Sequence, residues 1–135
     1  MTNSFLNTTT KNIHWFKRTH DIAELQMNPP FQRNPVWLVR QKSFLIDTIL
    51  NGLPIPEIYM QETVSEDGHA KYIVVDGQQR LRAVLEFLEG DFAIDAKDSP
   101  QWADMTFDDL SGAQKKQIYQ YDFVIRQLPH MDDIQ

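Results

Sequence analysis

Five consecutive residues, Asp76, Gly77, Gln78, Gln79 and Arg80, have no obvious packing role, yet they sit where two regular elements meet. Before them runs "KYIVV", apolar and β-branched. After them Leu81, Val84, Leu85 and Leu88 recur at helical spacing up to Gly90. A helix start presents backbone N–H groups without intrahelical partners and a partial positive charge, so it suits an anion, phosphate above all. Gly77 permits a sharp turn and a close approach of ligand to backbone. Gln78 and Gln79 each donate and accept hydrogen bonds, and Arg80 carries a fork that matches two phosphate oxygens. Asp76, closing the strand, is suited to bind a metal ion, accept a ribose hydroxyl or act as a base. A purely structural reading competes: Asp76 as helix cap, Gly77 as turn former, Arg80 paired with Glu86 or Asp91. Two adjacent glutamines exceed what a cap requires.

The elements that must position this joint can be read from pattern. Residues 1–14 are polar and read as a flexible arm. "HWFKR" reads as a short edge strand, and "THDIAELQMN" as a helix capped by Thr19 or Asp21 that buries Ile22 and Leu25. Asn28-Pro29-Pro30 ends it, and "FQRNPVW" is extended. "LVRQKSFLIDTILNG" predicts a helix with Gly52 as its stop. Glu57 to about Gln61 is a strand, turned at Asp67-Gly68 into a second strand, Lys71–Val75, expected centrally in the sheet. The helix from Gln78 to Glu89 buries Leu81, Val84, Leu85 and Leu88. "FAI" is read as a short strand. Residues 95–109 are acidic and irregular, pinned by Pro100, Trp102 and Phe107. A short helix follows, with Ser111 and Gln114 at capping-box spacing, and then a strand from Tyr121 to Leu128. "HMDDIQ" resembles a first helical turn, an expectation of a longer protein beyond it.

Composition bounds the reading. The chain has 135 residues, 41% hydrophobic and 11% aromatic, enough for one core and not for disorder. It has no cysteine, which excludes disulfides, thiolate metal sites and a cysteine nucleophile. No apolar stretch reaches membrane-span length, and the N-terminus lacks the pattern of a signal peptide, so a cytoplasmic protein with no membrane partner is expected. The net charge of −6 argues against strong unaided binding to nucleic acid. The histidines at 14, 20, 69 and 130 are scattered and form no ligand motif.

"DGQQRL" after an apolar strand, "PPFQRNPVW" upstream and "LIDTILNGLPIPEIYM" between them resemble the DGQQR-motif family, the N-terminal domain of GmrSD-type modification-dependent restriction enzymes and related phage-defence proteins. The likeness covers roughly residues 22–94, with its blocks in the family's order. It implies an α+β, ParB/sulfiredoxin-like fold: a small mixed sheet flanked by helices, here a single domain over residues 15–135. It further implies a nucleoside triphosphate bound with Mg²⁺ and hydrolysed, with no covalently attached cofactor. Asp76 and Arg80 would be catalytic, with Asp76 as a possible Mg²⁺ ligand. Gly77, Gln78, Gln79 and Arg80 would hold the nucleotide, joined by Gln32 and Arg33 of "FQR". DNA would be met by the full-length prokaryotic protein, through a downstream effector domain or subunit. A pocket-forming helix that the family carries after its last strand would lie past Gln135, and no HNH-type nuclease motif is present. Three readings stay open beside nucleotide hydrolysis. One is a DNA-recognition module using Arg33, Arg40, Lys42 and Arg82. The others are a non-catalytic interaction domain and a ParB-like phosphotransferase.

Overall fold

A computed structural model describes residues 7–27 and 36–128. They fall into two compact units, one drawing on residues 7–27, 56–78 and 122–128, the other on 36–55 and 79–121. The protein is α+β, as its pattern predicts.

The first unit is a five-stranded mixed sheet with one helix. Its strands are β1 (Asn7–Asn12), β2 (Leu25–Gln26), β3 (Ile58–Val64), β4 (Ala70–Asp76) and β5 (Asp122–Gln127), in the order β1-β5-β3-β4-β2. β1 with β5 and β3 with β4 are antiparallel; β3 with β5 and β2 with β4 are parallel. The β3–β4 turn forms where Asp67-Gly68 predicts it: Gly68 has φ +84°, and its N–H donates to the Ser65 carbonyl at 3.0 Å. Helix α1 (Ile13–Asp21) lies on the face shared by Phe123, Ile125, Ile58, Met60 and Val74. Phe16 meets Phe123 edge-on at 5.6 Å, and Trp15 meets Tyr72 at 4.8 Å.

The N-terminal third departs from the sequence reading. Residues 7–14, expected inside a flexible arm, form β1 and open α1. An edge strand needs backbone pairing more than apolar side chains, and three β-branched threonines supply the geometry. "HWFKR" is helical, because the Asn12 side chain accepts from the Trp15 N–H at 2.9 Å and Ile13, Phe16 and Thr19 recur on one buried stripe. The helix expected from Thr19 onward therefore does not form. Ala23 takes a left-handed conformation at φ +63°, and Leu25 enters β2 beside Tyr72. Leu25 is buried, but Ile22 is 59% exposed. β4 is paired on both sides but stands second from the edge, with β3 at the centre. Accordingly only Val74 of Ile73-Val74-Val75 is fully buried.

The second unit holds α2 (Val39–Leu50), most of α3 (Gln78–Leu88) and α4 (Gly112–Gln120), with two 3₁₀ turns at Pro100–Trp102 and Phe107–Asp109. Of the spaced apolar residues Leu38, Leu45, Ile46, Ile49 and Leu50, the last four are buried in α2, whereas Leu38 stands at its N-cap and is 70% exposed. α4 packs on α2 through Gln117, whose side-chain amide donates to the Leu50 carbonyl at 2.6 Å. The Ser111–Gln114 capping box forms in both directions, at 3.2 and 2.9 Å. "FAI" makes no strand. Instead Ile94 exchanges main-chain bonds with Met105 and Asp104, at 2.8 and 2.7 Å, which folds the acidic segment onto itself. Trp102 and Phe107 are buried beneath it. Arg40 grips Asp98 with two bonds, at 2.9 and 3.2 Å, and this hydrogen bonding holds the Asp98 carboxyl below the ordinary carboxylate range.

Candidate functional site

The joint is built by two local devices. Gly77, between the last residue of β4 and the first of α3, is buried and has φ +101°. L side chains rarely adopt that conformation, and holding one there costs about 1–3 kcal/mol. Next, the Gln78 side chain, 4% exposed, turns back and donates to the Val74 carbonyl at 3.0 Å. That bond ties the first residue of the helix to the strand it has just left. The Gln78 amide thus shapes the turn.

Gln79 and Arg80 follow, both half-buried, and Asp76 is exposed. The first turn of α3 contains no acidic side chain. Acids are the residues that ordinarily favour this position, because they offset the positive end of the helix. Here two amides and a guanidinium occupy it, and a cation at a helix N-terminus costs a few tenths to about 1 kcal/mol.

A bulge sets the side on which Asp76 stands. From Val64↔Ala70 to Met60↔Val74 the β3–β4 register is regular, and it then shifts so that Tyr59 opposes Asp76, with Val75 as the extra residue. Unshifted pairing would put Asp76 opposite Ile58, which is fully buried. A one-residue slip exchanges the faces of a strand. The bulge therefore moves the carboxylate from the core side to the face opposite α1.

Three further side chains lie on that face and were not singled out by the sequence. Tyr59 stands beside Asp76 on one flank and Arg126 on the other. Arg126 Nε donates to Glu57 Oε2 at 3.1 Å and its Nη1 to Thr8 Oγ1 at 2.9 Å, while Tyr59 OH lies 3.5 Å from Glu57 Oε1. The alternation "EIYMQ" already separates Glu57, Tyr59 and Gln61 from Ile58 and Met60. Their alignment with Asp76 depends on a bulge that pattern does not reveal.

Gln32 and Arg33 lie outside the described residues. Of the cations considered as a DNA-binding patch, Arg40 is engaged by Asp98 and Lys42 by Glu86, at 2.9 and 2.6 Å, so two of the four spend their charge within the protein.

The family model of the GmrSD restriction endonuclease N-terminal domain matches residues 13–133, nearly the whole chain. The chain belongs to this family. No curated protein and no solved structure gives a match. The GmrSD-type domain therefore contains the complete joint from Asp76 to Arg80, together with β5 and its Arg126. No helix among the described residues is long and apolar enough to cross a membrane.

Proposed function

We propose that this GmrSD-type domain binds a nucleoside triphosphate with Mg²⁺ and hydrolyses it in the service of a modification-dependent restriction or phage-defence system, in the cytoplasm of a prokaryote. The observation that carries the reading is the start of α3: a buried glycine at φ +101°, then a first turn without acids and with Arg80 in it. A helix start with no acid in its first turn and a guanidinium within it is suited to hold an anion.

In this reading the phosphates lie against the main-chain N–H groups of the first turn, and Arg80 spans two phosphate oxygens. Gly77 keeps the approach clear of a Cβ. The exposed Asp76 carboxylate is the hard oxygen donor that Mg²⁺ prefers, and it stands on the same short peptide. The ion, when bound, supplies neutralisation of phosphate charge. Asp76 holds that ion or orients the attacking water, since phosphoryl transfer asks a protein mainly for positioning and charge stabilisation. DNA sensing and cutting belong to other parts of the full-length protein or to a partner.

Phosphate release in the presence of Mg²⁺ tests this directly. The wild type should hydrolyse a nucleoside triphosphate. Asp76→Asn, which keeps the shape and removes the charge, should still bind nucleotide while losing at least about tenfold in rate. A wild type that neither binds nor hydrolyses any nucleoside triphosphate would overturn the proposal. So would an Asp76→Asn variant as fast as the wild type.

A further inference from the structure

The row of side chains across the sheet beside Asp76 has a second use. We infer that Tyr59 is the platform on which the nucleobase of the bound nucleotide stacks, one strand over from Asp76. This inference rests on the nucleotide reading of the joint and adds to it the group that recognises the base.

Three observations converge on Tyr59. The first is the bulge at Val75. Its effect is to align Asp76 with Tyr59 instead of Ile58, so the two residues stand side by side on one face, about one inter-strand spacing of 5 Å apart. A bulge re-aims a side chain or ends pairing, often beside a binding site. What it achieves is this juxtaposition.

The second observation is how the phenol is held. Tyr59 OH faces Glu57, Glu57 is held by Arg126, and Arg126 is held in turn by Thr8. The polar end of the tyrosine is thus engaged by the protein. With its hydroxyl turned to Glu57, the group Tyr59 has left to offer a ligand is its ring. A rigid aromatic ring on a β-sheet surface suits a planar base, and such stacking tolerates any base because every base has a π-face.

The third is the division of the sheet's faces. α1 and the apolar residues Phe123, Ile125, Ile58 and Met60 occupy one face of the first unit. Tyr59 is on the other, half-buried, beside the exposed Asp76. An aromatic residue on the face away from α1, next to a carboxylate and a phosphate-ready helix start, is placed for the non-phosphate end of a nucleotide.

The test compares two ligands, a nucleoside triphosphate and inorganic triphosphate, titrated calorimetrically with Mg²⁺ into the full chain. The wild type should bind the nucleotide more tightly than inorganic triphosphate. Tyr59→Val keeps a β-branched residue suited to a strand and removes the ring. It should lose about tenfold or more in nucleotide affinity while its affinity for inorganic triphosphate stays within about twofold. Tyr59→Phe, which keeps the π-face, should bind nucleotide within about threefold of the wild type. On the unaltered protein, Tyr59 ring protons should shift upfield when nucleotide is added and not with inorganic triphosphate. Equal loss for both ligands in Tyr59→Val, or no loss for either, would overturn the stacking role. So would a wild type that binds the two ligands equally, although the phosphate site would then stand. If the wild type binds neither, the nucleotide reading itself falls.

Discussion

Replacing Arg80 with alanine is expected to weaken nucleoside triphosphate binding by at least about tenfold, the loss of one charge-assisted interaction worth ~1.5–3 kcal/mol. The effect should be specific. Arg80 is half-buried in the first turn of α3, a position where the helix field does not itself favour a positive charge. Arg80→Lys should recover only part of the affinity, because an ammonium is a point charge and cannot span two oxygens. Calorimetric titration of both variants, with thermal melts to check folding, would show this. Wild-type affinity in Arg80→Ala would remove the guanidinium from the site.

The largest effect on stability is expected from Phe87→Ala, about 3–5 kcal/mol. Phe87 is fully buried in the second unit, 5.4 Å from the Phe92 ring and 6.0 Å from Phe107, which meets Tyr119 in turn at 5.5 Å. Removing the first ring leaves a cavity bordered by two others, and aromatic contacts add to the loss. Leu88→Ala should cost markedly less, since Leu88 is only half-buried. Denaturant unfolding midpoints compare the two. Equal losses would mean that this aromatic cluster does not organise the unit.

That pair also shows what pattern reading misses. The expected stripe of α3 was Leu81, Val84, Leu85 and Leu88. The helix in fact buries Leu81, Ala83, Val84, Leu85 and Phe87. Spacing found the helix and most of its face, but a face broad enough to include Phe87 implies packing on more than one side, which a single stripe cannot convey. α2, α4 with its capping box, the hairpin at Asp67-Gly68 and β5 were legible because each carries a strong local signal: periodicity, a cap, a turn pair, or β-branched residues before a proline. The N-terminus was not. β1 is polar and exists through its ladder to β5, more than a hundred residues away in sequence. α1 begins at the Asn12 cap, whose signal is masked by the aromatic residues that follow it. β2, of two residues, has no signature of its own.

The joint divides in the same way. Its strand, its glycine turn and its helix were readable, since "VVDGQQRL" changes period within a few residues. The side chains that stand beside Asp76 were not, because their alignment is set by a one-residue register shift and by a third strand, β5. Gln78 shows the converse. Its type suggests a ligand contact, and the structure adds a bond from its side chain to the Val74 carbonyl that stabilises the turn.

Family membership rests on the match over residues 13–133; the nucleotide rests on the chemistry of the joint. The most direct measurement of that chemistry is residue-resolved. Backbone amide resonances of the ¹⁵N-labelled chain, followed as a nucleoside triphosphate and Mg²⁺ are added, should move most at Gly77, Gln78, Gln79 and Arg80. These amides should move with inorganic triphosphate as well. A saturable response centred elsewhere, with those four amides unmoved, would contradict the account.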